Sequence, residues 1–349
     1  MAENSPQDRP ILNQGDSMSK SVRAVIDVNG KVHLLEDVRL PDWRRAVVTI
    51  LDEAPSLMEL PTISPTVSPE IRHEDQGSAQ WTRFYRLISP LGEGGMGETF
   101  LAMDIETEKL VCIKQLHPTI DKRSLVQECR ALAKLKHDNI VRLVNFEVAN
   151  NMPYMVTEFV PGNTLAEVLT KSGRVEQSVV VHIARQVFDA LAYAHSQDVF
   201  HRDLKPGNII LTGPATKLVA KIVDFGLAIV DRRDQFDIRT GVGRIAGTPS
   251  YMAPEQLRGA ELTGACDVYA TGQIMWEMLS GKRAFAINAV IAAREKATGF
   301  AGLEVPAELG VASAIVEVIR DCTKLKPEKR PSARLVLSRL LAIQAQMPI

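Results

Sequence analysis

Apolar and polar residues alternate in short runs between residues 84 and 159, a pattern typical of β-strands. The runs read FYRLISPL, ETFLAMD, KLVCIKQL, VRLVNFEV and PYMVTEF, and one helical period from Arg123 to Lys136 lies among them. After Gly162 helical periods dominate, as in SVVVHIARQVFDALAYAHS, DVYATGQIMWEMLS and SAIVEVIRDCTKL. The pattern predicts a β-rich lobe followed by an α-rich lobe.

The part of the chain before these runs consists of three segments that differ in composition. Residues 1–19 are polar without an apolar period, which predicts a disordered tail. Residues 20–53 hold two β-rich runs, SVRAVIDV and RAVVTIL, with NGKVHLL between them, and the dipeptide Asn29-Gly30 favours a tight hairpin turn after the first run. Residues 54–82 mix prolines with Ser and Thr, which is typical of an extended linker. The sequence therefore predicts a small β module joined by a linker to a larger domain.

The composition of the chain excludes several classes of protein. The 349 residues are 45% apolar and 24% charged with a net charge of −1, so we expect a folded chain without a positive field for nucleic acid or anionic membranes. No apolar run is long enough to span a membrane, and we expect a cytoplasmic protein. The four cysteines lack CxxC spacing, which favours reduced thiols over disulfides or zinc. They are Cys112, Cys129, Cys266 and Cys322.

A glycine cluster lies between the first two strand-like runs. Gly92, Gly94 and Gly97 have the spacing G-x-G-x-x-G, which alone also fits a plain hairpin turn. A dinucleotide-binding fold would need a helix directly afterwards, whereas a strand follows here. Glycines between two strands suit a flap whose backbone amides close over phosphates.

Lys114 is a lysine within an apolar strand. Burying a lone ammonium is expensive, so this side chain either extends to the surface or has a partner. Glu128, on the predicted helix that follows, is the candidate carboxylate. Such an ion pair could hold the α- and β-phosphates of ATP.

Two further segments, HRDLKPGNI at 201–209 and IVDFG at 222–226, supply a base, a cation and oxygen ligands for Mg²⁺. With them the chain resembles the eukaryotic-like (Hanks-type) bacterial Ser/Thr protein kinases over about Phe84 to Ile343. The resemblance implies an α+β fold, the bilobal protein-kinase fold, over 83–345 after the small β module. It also implies transfer of the ATP γ-phosphoryl group to protein Ser/Thr hydroxyls.

The resemblance assigns roles to single residues. It makes Asp203 the catalytic base, Lys205 the cation on the transferred phosphate, and Asn208 and Asp224 the Mg²⁺ ligands. Taken singly, Asp203 and Asp224 could be turn residues and Asn208 a cap residue. It also implies an ATP pocket. Residues 158–160 form the hinge whose backbone binds adenine, and the small residue Thr157 lies in front of the back pocket. The pocket residues are Leu91, Gly92, Gly94, Gly97, Thr99, Cys112, Lys114, Thr157, Glu158 and Val160.

The same resemblance implies how the kinase activity is regulated and which residues support the fold. Arg202 implies a segment ordered by phosphorylation. The candidate sites are Thr240, Thr248 and Ser250; Thr240 is the most loop-like of them, and Thr248 in GTPSYMAPE is reserved for positioning the substrate. Constitutive activity is the alternative. The remaining residues implied are structural: a buried Glu255–Arg330 ion pair, His201 beneath Phe225, and Asp267 accepting bonds from the catalytic loop. We expect His33, His137 and His195 to be ordinary surface or loop groups.

The segment 20–53 weakly resembles small β antitoxin-like modules. Such modules are often dimeric, so we expect this segment to mediate a homodimer. The alternative is a folded β appendage that only mediates contacts. Residues 20–52 carry a net charge of only +1, which argues against nucleic-acid binding. A nucleotide-binding scaffold without turnover is the remaining alternative, and its usual sign, loss of Lys114, Asp203 or Asp224, is absent from the sequence.

Overall fold

A computed structural model describes residues 24–26, 32–34, 83–94, 97–117, 122–149, 152–214, 217–225, 250–285 and 302–347. The chain divides into two compact units, Met1–Asp52 and Glu53–Ile349, which are described separately. The predictions for residues 1–19 and 54–82 lie outside the described residues.

The first unit contains an antiparallel strand pair, β1 (Ala24–Ile26) and β2 (Val32–Leu34). Ile26 lies opposite Val32. The strands lie on either side of Asn29-Gly30, as the sequence predicts, and the connection itself, residues 27–31, lies outside the described residues. A pair this short is marginal on its own.

The β-rich lobe of the second unit is a five-stranded antiparallel sheet in the order β3-β4-β5-β7-β6. One helix, α1, follows β5 and begins one residue before the predicted period, at Lys122. The elements are β3 (Tyr85–Gly94), β4 (Gly97–Asp104), β5 (Leu110–Leu116), α1 (Lys122–Lys134), β6 (Leu143–Ala149) and β7 (Met152–Glu158).

This sheet curls on itself. The side chain of Tyr85 on the edge strand β3 lies close to Asn145 on β6, the opposite edge, and packs in one apolar cluster with Val156 of β7. The curl encloses a small apolar core, and the side chains that alternate with it on β5 and β7 lie on the other face of the sheet. The core consists of Tyr85, Ala102, Val111, Ile113, Tyr154 and Val156.

The α-rich lobe packs around the long helices α3 and α5. The last helix, α7, was not predicted; it begins after Ser332, whose hydroxyl accepts a hydrogen bond from the backbone N–H of Leu335. The elements are β8 (Asn163–Thr164), α2 (Leu165–Ser172), α3 (Gln177–His195), β9 (Ile209–Thr212), β10 (Val219–Ile222), α4 (Pro254–Leu257), α5 (Ala265–Ser280), α6 (Ser313–Cys322) and α7 (Ala333–Gln346).

The two lobes are joined beside the hinge by backbone pairing. The backbone N–H of Val141 donates to the carbonyl of Ile222 on β10 at 2.9 Å. The amide of Asn139 donates to the carbonyl of Ala220 and to the side chain of Gln186, both at 2.8 Å. Because Asn139 is buried, these bonds hold the two lobes together at the point where residues 139–141 meet β10.

Candidate active site

The predicted pocket residues of the β-rich lobe share one face of the sheet. Lys114 on β5 lies opposite Thr99 on β4, and Cys112 lies opposite Thr157 on β7. Directly opposite residues of antiparallel strands point to the same face, so these four side chains lie together. Leu91 and Gly92, at the end of β3, are exposed.

Gly97 is required where the glycine-rich turn enters β4. Its φ is +145°, and a Cβ there would lie 1.9 Å from the carbonyl oxygen of Gln115. Any larger residue would push β4 away from β5, the strand that carries Lys114. Residues 95 and 96, at the tip of the turn, lie outside the described residues.

Cys112 is the unusual residue of this pocket. Burial, and secondarily the Asp224 carboxylate, raise the pKa of its thiol to about 11, and a bond with Thr157 opposes this shift only in part. The thiol is therefore protonated near neutral pH and is a weak nucleophile. It serves the pocket as a small, slightly polar hydrophobe.

Lys114 pairs with Asp224, the residue predicted as a metal ligand. Its Nζ lies 2.8 Å from Oδ2 of Asp224, which brings a cation and an oxygen donor together in front of the sheet. Asp224 has a φ of +59°, a conformation that costs a non-glycine residue about 1–3 kcal/mol. Glu128, the predicted partner, lies on α1, but its side-chain contacts fall outside the described residues.

The loop 201–209 holds the second half of the cluster. Nζ of Lys205 lies 2.7 Å from Oδ2 of Asp203, and the amide nitrogen of Asn208 donates to the carbonyl of Asp203 at 2.8 Å. The backbone N–H of Val223 donates to the carbonyl of Asn208 at 2.9 Å. This last bond ties the loop to the residue before Asp224, so Asp203, Asn208 and Asp224 belong to one rigid framework.

The donor set fits a hard divalent cation. The Asn208 amide nitrogen bonds to Asp203, which turns the nitrogen away from any metal and leaves the amide oxygen as the ligand atom. Magnesium sites characteristically use one or two protein oxygens plus phosphates and water. Among the described residues no group of three His, Cys, Asp or Glu forms a protein-only metal site.

Glu158, a predicted hinge residue, has side-chain contacts that sequence reasoning missed. Its carboxylate lies 2.6 Å from Nζ of Lys221 on β10 and accepts a bond from the backbone N–H of Arg142 at 3.2 Å. The carboxylate therefore links the end of β7 to the α-rich lobe. Val160, two residues further, is buried.

The predicted scaffold contacts are present. The rings of His201 and Phe225 lie 4.8 Å apart, and Nε2 of His201 bonds to the carbonyl of Val223 at 3.0 Å. The carboxylate of Asp267 accepts bonds from the backbone N–H groups of His201 and Arg202. Glu255 and Arg330 form a buried, bidentate ion pair.

The expectation for His195 was wrong. It is not an ordinary surface group, because Nε2 of His195 lies 2.9 Å from Oδ2 of the fully buried Asp267. His137 also has contacts within the fold: its ring lies 5.3 Å from that of Tyr193. Ligand spacing in the sequence did not predict the contacts of either histidine, because both contact side chains that are distant in sequence. His33 has no described side-chain contacts.

Arg202 has an unusual environment. Its φ is +66°, and its buried Nε has no hydrogen-bond partner among the described residues. The guanidinium lies over the ring of Phe200, 5.6 Å from the centroid. Thr240 and Thr248, the predicted regulatory and substrate-loop threonines, lie outside the described residues.

With a curled β lobe, a helical lobe and this cluster at their junction, the chain has the protein-kinase fold. Residues 85–341 match the protein kinase domain family, and the chain belongs to that family.

Its relatives include bacterial serine/threonine-protein kinases. Pkn3 and Pkn1 of Myxococcus xanthus are 34% and 35% identical over 59% and 64% of this chain, and PrkC of Bacillus subtilis is 32% identical over 58%. These matches span only 39%, 33% and 31% of the relatives' own lengths. The kinase domain of Mycobacterium tuberculosis PknI superposes with a TM-score of 0.59 at 21% identity, over 74% of this chain and 96% of that one, and supports the fold.

None of the helices in the described part of the chain combines the length and the apolar character needed to cross a bilayer.

Proposed function

We propose that this protein is a serine/threonine protein kinase that transfers the γ-phosphoryl group of ATP, with Mg²⁺, to protein hydroxyls. One observation carries the proposal: Lys114, Asp203, Asn208 and Asp224 form one cluster through direct contacts and a shared backbone framework. The match of residues 85–341 to the protein kinase domain family supports it. We further propose that the enzyme acts in the cytoplasm, because its four cysteines lack the spacing of a disulfide framework or a zinc site.

Each residue of the cluster then has a chemical task. Asp203 orients the substrate hydroxyl and accepts its proton, and Lys205, 2.7 Å from this carboxylate, is close enough to stabilise negative charge on the transferred group. Lys114 holds the α- and β-phosphates. Asn208 and Asp224 would hold Mg²⁺, which neutralises charge on the phosphates when bound. Thr99, Cys112 and Thr157 shape the adenine pocket, and the backbone of residues 158–160 binds the base.

The test is the intact mass of the purified protein after incubation with ATP, with Mg²⁺ or with EDTA. We expect additions of one phosphate each with Mg²⁺, and none with EDTA or in Asp203→Ala. Because Asn208 and Asp224 supply too few ligands to hold the cation alone, activity should depend on added metal. ATP binding without any mass addition would instead favour a nucleotide-binding scaffold.

Regulation is proposed to run through Arg202. A buried guanidinium nitrogen without a partner among the described residues has unused capacity for an anion, and a phosphate on Thr240 would supply one. Peptide mapping of the phosphorylated protein should then find Thr240 modified. Phosphorylation of Thr240 that leaves the rate of substrate phosphorylation unchanged would support constitutive activity.

We also propose that residues 20–53 form a small dimerising β module, related to antitoxin-like modules, and that 83–345 is the kinase domain. Each strand of a two-stranded pair has one backbone edge that the other strand does not fill, which favours pairing with a second copy. Light scattering should give twice the chain mass for the whole protein and the monomer mass for a chain beginning at residue 83. A monomeric whole chain would leave only the contact-forming role.

A further inference from the structure

The side chain of Gln256, on α4, bonds to two backbone groups at once. Its Oε1 accepts the N–H of Ala253 at 2.9 Å, and its Nε2 donates to the carbonyl of Arg202 at 2.7 Å. The two orientations of the amide are not equivalent, because Ala253 offers an N–H and Arg202 offers a carbonyl, so only this orientation satisfies both. The side chain therefore joins the start of α4 to the loop 201–209, and the two bonded residues are 54 positions apart.

The bond to Ala253 is a helix cap. α4 begins at Pro254, and a Gln or Glu at the third helical residue characteristically accepts the N–H of the residue before the helix. A cap of this kind uses the amide oxygen, and the amide nitrogen has no part in it. The bond to Arg202 is therefore an additional contact, between α4 and the loop that carries Asp203.

The carbonyl of Arg202 belongs to the peptide group that leads into Asp203. A peptide group is planar, so this carbonyl and the N–H of Asp203 turn together. On the N–H side the group has a long bond, 3.3 Å, to Nδ1 of His201, whereas on the carbonyl side the bond from Gln256 is 2.7 Å. Arg202 has a φ of +66°, which residues other than glycine seldom adopt, so the orientation of this group depends on the bonds it makes.

The helix α4 is a firm support for this contact. Glu255, directly before Gln256, forms the buried bidentate ion pair with Arg330. The backbone N–H of Ala260, beyond the end of the helix, donates to the carbonyl of Glu255 at 3.0 Å. Because its neighbour is fixed in this way, Gln256 presents its amide to the loop from a defined position.

We propose that Gln256 is a positioning residue for phosphoryl transfer, which orients the peptide group before Asp203 and so couples the segment 250–257 to the catalytic base. The inference rests on the proposed kinase function. Rotation of this peptide group shifts the Cα of Asp203 and with it the carboxylate. Misplacement of a reacting group by about 1 Å can cost about a hundredfold in rate. The bonds of Asp267 and Asn208 to the same loop remain in place, so we expect a smaller loss.

The test compares Gln256→Met with Gln256→Glu at a temperature where both are folded. Met is similar in length to Gln but lacks both strong hydrogen-bonding groups. Glu keeps an acceptor for the helix cap and suits the start of a helix, but it places a second acceptor against the Arg202 carbonyl. We expect both variants to lower kcat on the order of tenfold with little change in the KM for ATP, because the loop contacts the reacting groups and not the adenine.

The variant Gln256→Glu separates the positioning role from a helix cap. If the side chain only caps α4, Glu replaces it fully and kcat stays at the wild-type value, a result that would overturn the proposal. If Gln256→Met does not fold, Gln256→Glu, which keeps the cap, carries the test alone.

Gln177→Met is the matched control. Gln177 is the first residue of α3, and its Oε1 also accepts a backbone N–H, that of Ala312, at 3.2 Å. The catalytic loop follows the other end of α3, and a helix of 19 residues is about 28 Å long. We expect wild-type kcat for this variant. A loss of kcat equal to that of Gln256→Met would contradict a specific role of Gln256.

Hydrogen exchange of the Asp203 amide, read by mass spectrometry of short peptides, is a second measurement that does not need turnover. Exchange should be faster in both Gln256 variants and unchanged in Gln177→Met, because the amide is part of the peptide group that Gln256 holds. A wild-type exchange rate in folded Gln256→Glu would also overturn the proposal. A wild-type protein without phosphate transfer would instead contradict the kinase function, while exchange still tests the contact.

Discussion

Asp203→Asn should lower kcat about 100- to 10,000-fold, the contribution typical of a general base. Asn has the same shape as Asp, but its neutral amide is a far weaker proton acceptor. The loop should survive the change, because the two backbone bonds of residue 203 remain: its N–H donates to His201 Nδ1 at 3.3 Å and its carbonyl accepts from Asn208. The measurement is the steady-state rate of peptide phosphorylation, alongside the melting temperature.

Asp198→Asn is the matched control for this experiment. Asp198 is exposed, lies five residues before Asp203, and has a φ of +57° that asparagine tolerates as well as aspartate. We expect wild-type kcat for this variant. Wild-type kcat for Asp203→Asn as well would remove Asp203 from the chemistry, and equal losses in both would point to a general effect of the substitution on the loop.

The features that were predicted from the sequence are local in origin. Strand alternation has a period of two, so the run KLVCIKQL alone implies that Cys112 and Lys114 share a face. The structure pairs them with Thr157 and Thr99 on the neighbouring strands. The loop 201–209 and the segment 222–226 are close because β9 and β10, between them, pair directly. Short-range patterns thus locate most of the site.

The contacts that were missed join residues distant in sequence. His195 and Asp267 are 72 residues apart, Glu158 and Lys221 are 63 apart, and the Lys114–Asp224 contact spans 110. Each depends on how helices and lobes pack, which periodicity within one element does not encode. The helix α7 was not predicted, although its start signal, Ser332 directly after Pro331, is present in the sequence.

Arg330→Leu is expected to destabilise the protein by about 3–5 kcal/mol, the usual cost of removing one partner of a buried ion pair. The guanidinium is fully buried and contacts the Glu255 carboxylate with both terminal nitrogens, at 2.5 and 2.8 Å. It also donates to the carbonyls of Lys324, Ala265 and Leu325 and lies over the ring of Tyr269. The substitution leaves the Glu255 charge and three carbonyls without this partner.

Arg339→Leu provides the comparison that isolates burial. Arg339 also lies 2.7 Å from a carboxylate, that of Asp321, but its side chain is 29% exposed, against 0% for Arg330. Exposed pairs contribute about 0–1 kcal/mol, so the two variants should differ several-fold in their loss of unfolding free energy by urea titration.

Because the Glu255–Arg330 pair is structural, the folded fraction of Arg330→Leu should retain most of its kcat at low temperature. Equal destabilisation of both variants would show that the contact is no stronger than a surface pair. A collapse of kcat in folded Arg330→Leu would instead place the pair in the chemistry.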